Sequence, residues 1–189
     1  MEIRPAEIRP AEVPPVAVPP VEIRPVRYDH PDAVRLDALV QQEYARRYGD
    51  GDMTPLDPAM FAPPHGAYLI AYEGTRPVAT GGWRVQEDAD KGYAPGDAEI
   101  KRMFVIPEAR GRGLARQILA VLEADARAAG RSRMVLETGI KQPEALELYA
   151  SSGYVHVKKF GLYRTYEDSR CMAKPLGTAE GAGPLGAGG

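Results

Sequence analysis

The feature that most constrains this chain is a strand, a glycine loop and a long amphipathic helix in immediate succession. Ala98-Glu99-Ile100-Lys101-Arg102-Met103-Phe104-Val105-Ile106 reads as a strand and is followed by Arg110-Gly111-Arg112-Gly113. Leu114, Ile118, Val121, Leu122 and Ala126 then recur at helical intervals until Gly130. Glycine admits backbone conformations closed to other residues, successive N–H groups can then point one way, and the helix start adds partial positive charge. Such a loop either cradles an anion of diphosphate size, with Arg110 and Arg112 adding charge-assisted bonds, or simply makes a tight strand-to-helix turn. It lacks the Gly-Lys-Ser/Thr ending of a P-loop and the third glycine of the dinucleotide fingerprint.

The remaining segments supply the parts of one α/β domain. A proline-bearing five-residue repeat runs from Glu2 to Val26. Dense proline cannot pair in a sheet, so residues 1–21 suit a solvated polyproline-like arm, either a bland extension or a docking arm for a proline-reading partner. The folded domain is expected to begin with the last copy, at Glu22. A first helix carrying Ala33, Val34, Leu36, Leu39 and Val40 ends near Gly49, and a turn-rich connector follows with a short helical piece over residues 57–61. A hairpin (67–72 and 77–85), the loop 86–96, a strand after the long helix (133–138) and a helix opened by Pro143 and capped near Gly153 come next. A final strand pair is expected at 154–160 and 171–174. This order predicts a mixed α/β domain over residues 22–176 with one central sheet, while residues 177–189, mostly Gly and Ala, lack the bulk to pack.

Charge narrows the partners. With 24 basic and 26 acidic residues, a net charge of -2 and no long basic block, the chain has no electrostatic footprint for nucleic acid or an anionic membrane. No apolar run approaches the length of a membrane span, and the N-terminus lacks a secretory layout. Cys171 is the single cysteine, which excludes an internal disulfide, and His30, His65 and His156 are scattered without ligand spacing, so no metal is expected. A cytoplasmic protein is the expectation.

The segment Val105-Ile106-Pro107-Glu108-Ala109-Arg110-Gly111-Arg112-Gly113-Leu114-Ala115 resembles the acetyl-CoA motif of the GNAT superfamily of N-acyltransferases. The family core, Arg/Gln-x-x-Gly-x-Gly/Ala, reads here Arg110-x-x-Gly113-x-Ala115, and Ala145-x-x-Leu148-Tyr149-x-x-x-Gly153-Tyr154 resembles the family's last helix. The resemblance implies a single GNAT-type domain whose mixed sheet splays between the strand before the loop and the following strand. It implies that Arg110, Gly111, Arg112, Gly113, Leu114 and Ala115 hold the diphosphate of acetyl-CoA, with the backbones of Met103 and Val105 facing its pantetheine arm. The implied reaction is direct acetyl transfer to an amine in a ternary complex, without a metal. Leu136-Glu137-Thr138-Gly139, Phe160-x-x-Tyr163 and Asp168-Ser169-x-Cys171-Met172-x-Lys174 are similar to a bacterial subgroup of small-molecule acetyltransferases.

An amine attacks a thioester only when neutral, and a lysine-like amine titrates near pH 10.4, so a base must take its proton. Glu99 matches the position where several family members carry that base, and strand alternation places Glu99, Lys101, Met103 and Val105 on one face. Alternatively, Glu99 pairs structurally with Lys101 or Arg84. By the same resemblance Tyr149 protonates the departing thiolate, unless it is simply a core tyrosine. The resemblance further implies that Glu137 and Thr138 lie where acceptors approach, with Glu137 either binding a substrate ammonium or acting as an alternative base. Arg84, beside Trp83, either reads an acceptor carboxylate or packs at an edge. Cys171 is expected to be a buried strand thiol. The expected acceptor is a small-molecule amine or amino acid, with protein lysines or N-termini and a non-catalytic acetyl-CoA sensor as alternatives; a homodimer stays open.

Overall fold

Helix-terminating chemistry sets the first element. His30 Nδ1 accepts the Asp32 N–H at 3.2 Å, Pro31 occupies the first turn, and Gly49 closes the helix in the left-handed region at φ 95°. The structure, a computed structural model, describes residues 20–177. The early proline repeats and most of the Gly/Ala tail fall outside them. The helix just described is α1 (Pro31–Tyr48), and α2 (Leu114–Ala128) and α3 (Pro143–Ser151) complete the α-helices among the described residues. Val34, Leu39 and Val121 face solvent, so the buried stripes are Ala33, Leu36 and Val40 on α1 and Leu114, Ile118, Leu119, Leu122 and Ala126 on α2.

Among the described residues seven strands form one sheet: β1 (Val21–Pro25), β2 (Gly66–Glu73), β3 (Arg76–Val85), β4 (Asp97–Val105), β5 (Arg133–Gly139), β6 (Val155–His156) and β7 (Ser169–Pro175). Their order is β1-β2-β3-β4-β5-β7-β6, antiparallel except for β4 and β5, which α2 connects. The last proline repeat pairs as β1, the strand that opens the domain. It lies at the sheet edge with Pro25 at its end, where a missing N–H interrupts no central ladder. The strand expected over 154–160 shortens to β6, because the chain then turns inward and buries Phe160 against Tyr93, ring centroids 4.8 Å apart.

Two details of β4 shape the centre of the molecule. Its pairing with β5 is confined to Asp97, Ala98 and Glu99 opposite Arg133, Met134 and Val135, and buried Asp97 clamps Arg133 there with hydrogen bonds of 2.6 and 2.7 Å. Beyond that clamp the two strands part. The second detail is a bulge: the register with β3 shifts between Thr80 and Gly82, and Arg102 takes φ 59°. Glu99 and Lys101 therefore face away from α2, whereas Met103 lies beneath it, which corrects the unbroken alternation expected from sequence. Gly81 permits the crossing, since a Cβ there would sit 2.3 Å from the Met103 sulfur.

Candidate active site

The parted strands leave a V-shaped cleft of about 380 Å³, walled by residues 100–105 of β4, 136–138 of β5, the glycine loop and α3. The Ile106 N–H donates to Val78 O at 3.0 Å, so by strand alternation the main-chain groups of Phe104 serve β3 and those of Met103 and Val105 face the opening. The Val105 carbonyl accepts the Arg110 Nε–H at 3.1 Å.

At the mouth, Gly111 and Gly113 take φ 76° and 77°, and a Cβ on either would touch nothing within 4 Å. Backbone conformation rather than crowding requires them. Gly113 is the N-cap of α2 and supplies no side-chain acceptor, so the first N–H groups of that helix are left to serve an anion. Arg110, Gly111, Gly113, Leu114 and Ala115 line the cleft as expected. The Arg112 side chain does not: its guanidinium pairs with Glu73 at 2.7 Å, where β2 offers a carboxylate. Arg116 supplies the second cleft-lining guanidinium of this region and donates to Ser151 Oγ at 2.9 Å, tying α2 to α3.

Glu99 is not in the cleft. It is 0% exposed and accepts from Arg84 at 2.8 and 2.9 Å, from the Tyr93 hydroxyl at 2.8 Å and from Lys101 at 3.0 Å. Burial opposes its ionisation, but Lys101 and Arg84 outweigh that and hold the carboxyl below 4.5. Arg84 thus reads a carboxylate, though it is that of Glu99 and not an acceptor's. Trp83 is buried with its indole N–H donated to Asp125 at 2.7 Å, so the pair closes no acceptor pocket.

Glu137 occupies the position that Glu99 does not. Together with Thr138 it lines both the V-cleft and a second cavity of about 250 Å³. The second cavity runs from there toward Tyr48, Tyr163 and Tyr166. Burial raises the Glu137 carboxyl above 4.5, against the pull of the Ser169 hydroxyl and Lys101. Thr138 Oγ1 bonds Gln142 at 3.2 Å. Tyr149 is 5% exposed on the cleft wall, and its hydroxyl has no hydrogen-bond partner among the described residues. Burial raises it well above 10, which keeps it protonated at neutral pH.

The Acetyltransferase (GNAT) family model matches residues 34–154. This chain belongs to the GNAT family. An IAA acetyltransferase of Azospirillum brasilense is 38% identical over 147 residues, covering 74% of this chain and 92% of that protein. The uncharacterized N-acetyltransferase YjgM of Escherichia coli K12 is 29% identical over 136 residues, covering 68% and 78%. Among solved structures, yncA of Salmonella typhimurium, determined with its cofactor acetyl-CoA, aligns with a TM-score of 0.64 at 16% identity, covering 84% of this chain and 95% of that one.

The GNAT protein described here is accordingly an acetyl-CoA-dependent acyltransferase with the splayed mixed sheet of its family. Its cleft fits that co-substrate on its own geometry: unserved helix amides and two guanidiniums for the diphosphate, then strand groups facing an open V for the extended arm. Sequence reasoning paired Lys101 with Glu99 and found Tyr163 in a subgroup motif but gave neither a place at the site, and it gave Asp52 no role. Asp52 accepts from the Tyr163 hydroxyl at 2.9 Å and pairs with Arg102, whose Nε also lies 2.6 Å from Asp37 Oδ1 in a contact that is Coulombic more than a well-aligned hydrogen bond. No group of three His, Cys, Asp or Glu among the described residues is arranged to hold a metal, and no described helix is long and apolar enough to cross a membrane.

Proposed function

We propose that this enzyme acetylates the primary amine of a small molecule, with Glu137 as the general base and Tyr149 beside the leaving sulfur. The carrying observation is that Glu137 lies where the V-cleft and the second cavity meet, so an acceptor in one can face a thioester in the other. Acetyl-CoA supplies the acyl thioester. The chain's own groups do the rest: Glu137, its carboxyl raised by burial, takes the ammonium proton, and the protonated Tyr149 hydroxyl offers a hydrogen bond to sulfur.

The test is release of free coenzyme thiol from acetyl-CoA across a panel of small amines, with mass-spectrometric detection of the acetylated product. Tyr149→Phe should lower kcat by about a hundred-fold while acetyl-CoA affinity holds within about two-fold. Binding of acetyl-CoA with no turnover on any small amine would move the reading to a protein acceptor or a sensor.

A further inference from the structure

The second cavity has a one-sided chemistry. Glu137 and Asp168 line it beside Tyr48, Tyr163 and Tyr166, and the one cation among its described lining residues is Lys101. Lys101 is 3.0 Å from buried Glu99 and its charge also acts on Asp52 and Glu137, so three carboxylates already share it. Of the neighbouring guanidiniums, Arg84 is committed to Glu99 and Arg102 to Asp37 and Asp52, while Arg164 and Arg170 donate to main-chain carbonyls and do not line the cavity. Lys141 lies 5.4 Å from the Tyr48 ring centroid without lining the cavity. An acceptor carboxylate entering here meets carboxylates and tyrosine rings but no open cation. An ammonium meets groups that attract it, since carboxylates pair with it and aromatic faces hold it through the ring quadrupole.

We infer that the acceptor is a carboxylate-free primary amine whose body packs on the tyrosines, and that amino acids are selected against by charge. This rests on the reading of the second cavity as the acceptor's side of the acetyl-transfer site. Decarboxylated pairs isolate the one group at issue, and equilibrium binding reads the pocket whether or not turnover follows.

The experiment is calorimetric titration of the full chain, saturated with coenzyme A, with tyramine against tyrosine and putrescine against ornithine, alongside kcat/KM for each with acetyl-CoA. The amine of each pair should bind at least about ten-fold more tightly than its amino acid. Asp168→Lys, which supplies the missing cation, should narrow that ratio by about three-fold or more. Equal or tighter binding of the amino acids, no binding by either amine, or an unchanged ratio in a folded Asp168→Lys protein overturns the inference. Tighter amine binding without turnover upholds the pocket's selectivity and instead removes the acetyl-transfer reading, so the two failures are told apart.

Discussion

The Ser169 hydroxyl donates to Glu137 Oε1 at 2.6 Å, across the antiparallel pair of β5 and β7. That bond fixes one carboxylate oxygen, and Ser169 is itself buried, so Glu137 is held in place at the junction of the two cavities. A base held in this way should act with a definite pKa. Because burial raises the Glu137 carboxyl, the acid limb of kcat should have its midpoint above the ordinary 4.5, with activity rising as pH rises and the carboxyl ionises. Glu137→Gln should remove that limb and lower kcat by about 10²–10⁴-fold with acetyl-CoA affinity retained. A pH-rate profile of both proteins checks it, and an unchanged limb would assign the base elsewhere.

Glu99 should behave differently because its partners are fixed inside the sheet. Glu99→Gln leaves Arg84 and Lys101 facing a neutral amide in a buried setting, a loss of about 3–5 kcal/mol when one member of such a pair is removed. Urea unfolding should show the loss clearly for Glu99→Gln and a much smaller change for Glu137→Gln. Equal stability of the two variants would contradict the buried cluster.

The glycine loop separates conformation from contact. A Cβ at Gly113 meets no neighbour, but its φ of 77° costs an L-residue about 1–2 kcal/mol. Gly113→Val should therefore weaken acetyl-CoA by roughly ten-fold, read by calorimetry, as the loop relaxes and turns its amides off the cleft. An unaltered affinity would mean that the helix start does not hold the diphosphate.

How much of this was readable in the residues follows from the distance over which each feature is encoded. The glycine loop, the helix caps and Tyr149 on its helix face are local patterns, and they stand where spacing puts them. The fate of Glu99 is not local, because Arg84 reaches it from 15 positions away across a register set by the whole hairpin. The bulge at Arg102 left only a faint trace, the Gly81-Gly82 pair on the facing strand, whose missing side chains make room for Met103 and for the Tyr68 ring. Asp52 and Tyr163 lie 111 residues apart in sequence, and no period or motif announces that they meet.

The surroundings of Asp52 carry a prediction for acid stability. Burial disfavours the Asp52 carboxylate, but Lys101, Arg102 and the Thr54 hydroxyl and N–H outweigh it and bring the pKa to about 2, below the ordinary 3.8. A carboxyl depressed in the folded state contributes stability that is fully present above the unfolded pKa and is lost as pH falls through the folded one. The difference corresponds to about 2 kcal/mol, disappearing between about pH 4 and pH 2. Glu99, also depressed, adds to the same loss in acid, whereas Glu137, raised by burial, has the opposite slope and favours the folded state as it protonates. Asp52→Asn should therefore cost about 2 kcal/mol at pH 7 and flatten the fall in unfolding free energy below pH 4. Urea titrations of both proteins at pH 7, 4 and 3 measure it. An equally steep acid loss in Asp52→Asn would show that the ionised Asp52 carboxylate, with Lys101, Arg102 and Thr54 around it, contributes nothing to the fold's resistance to acid.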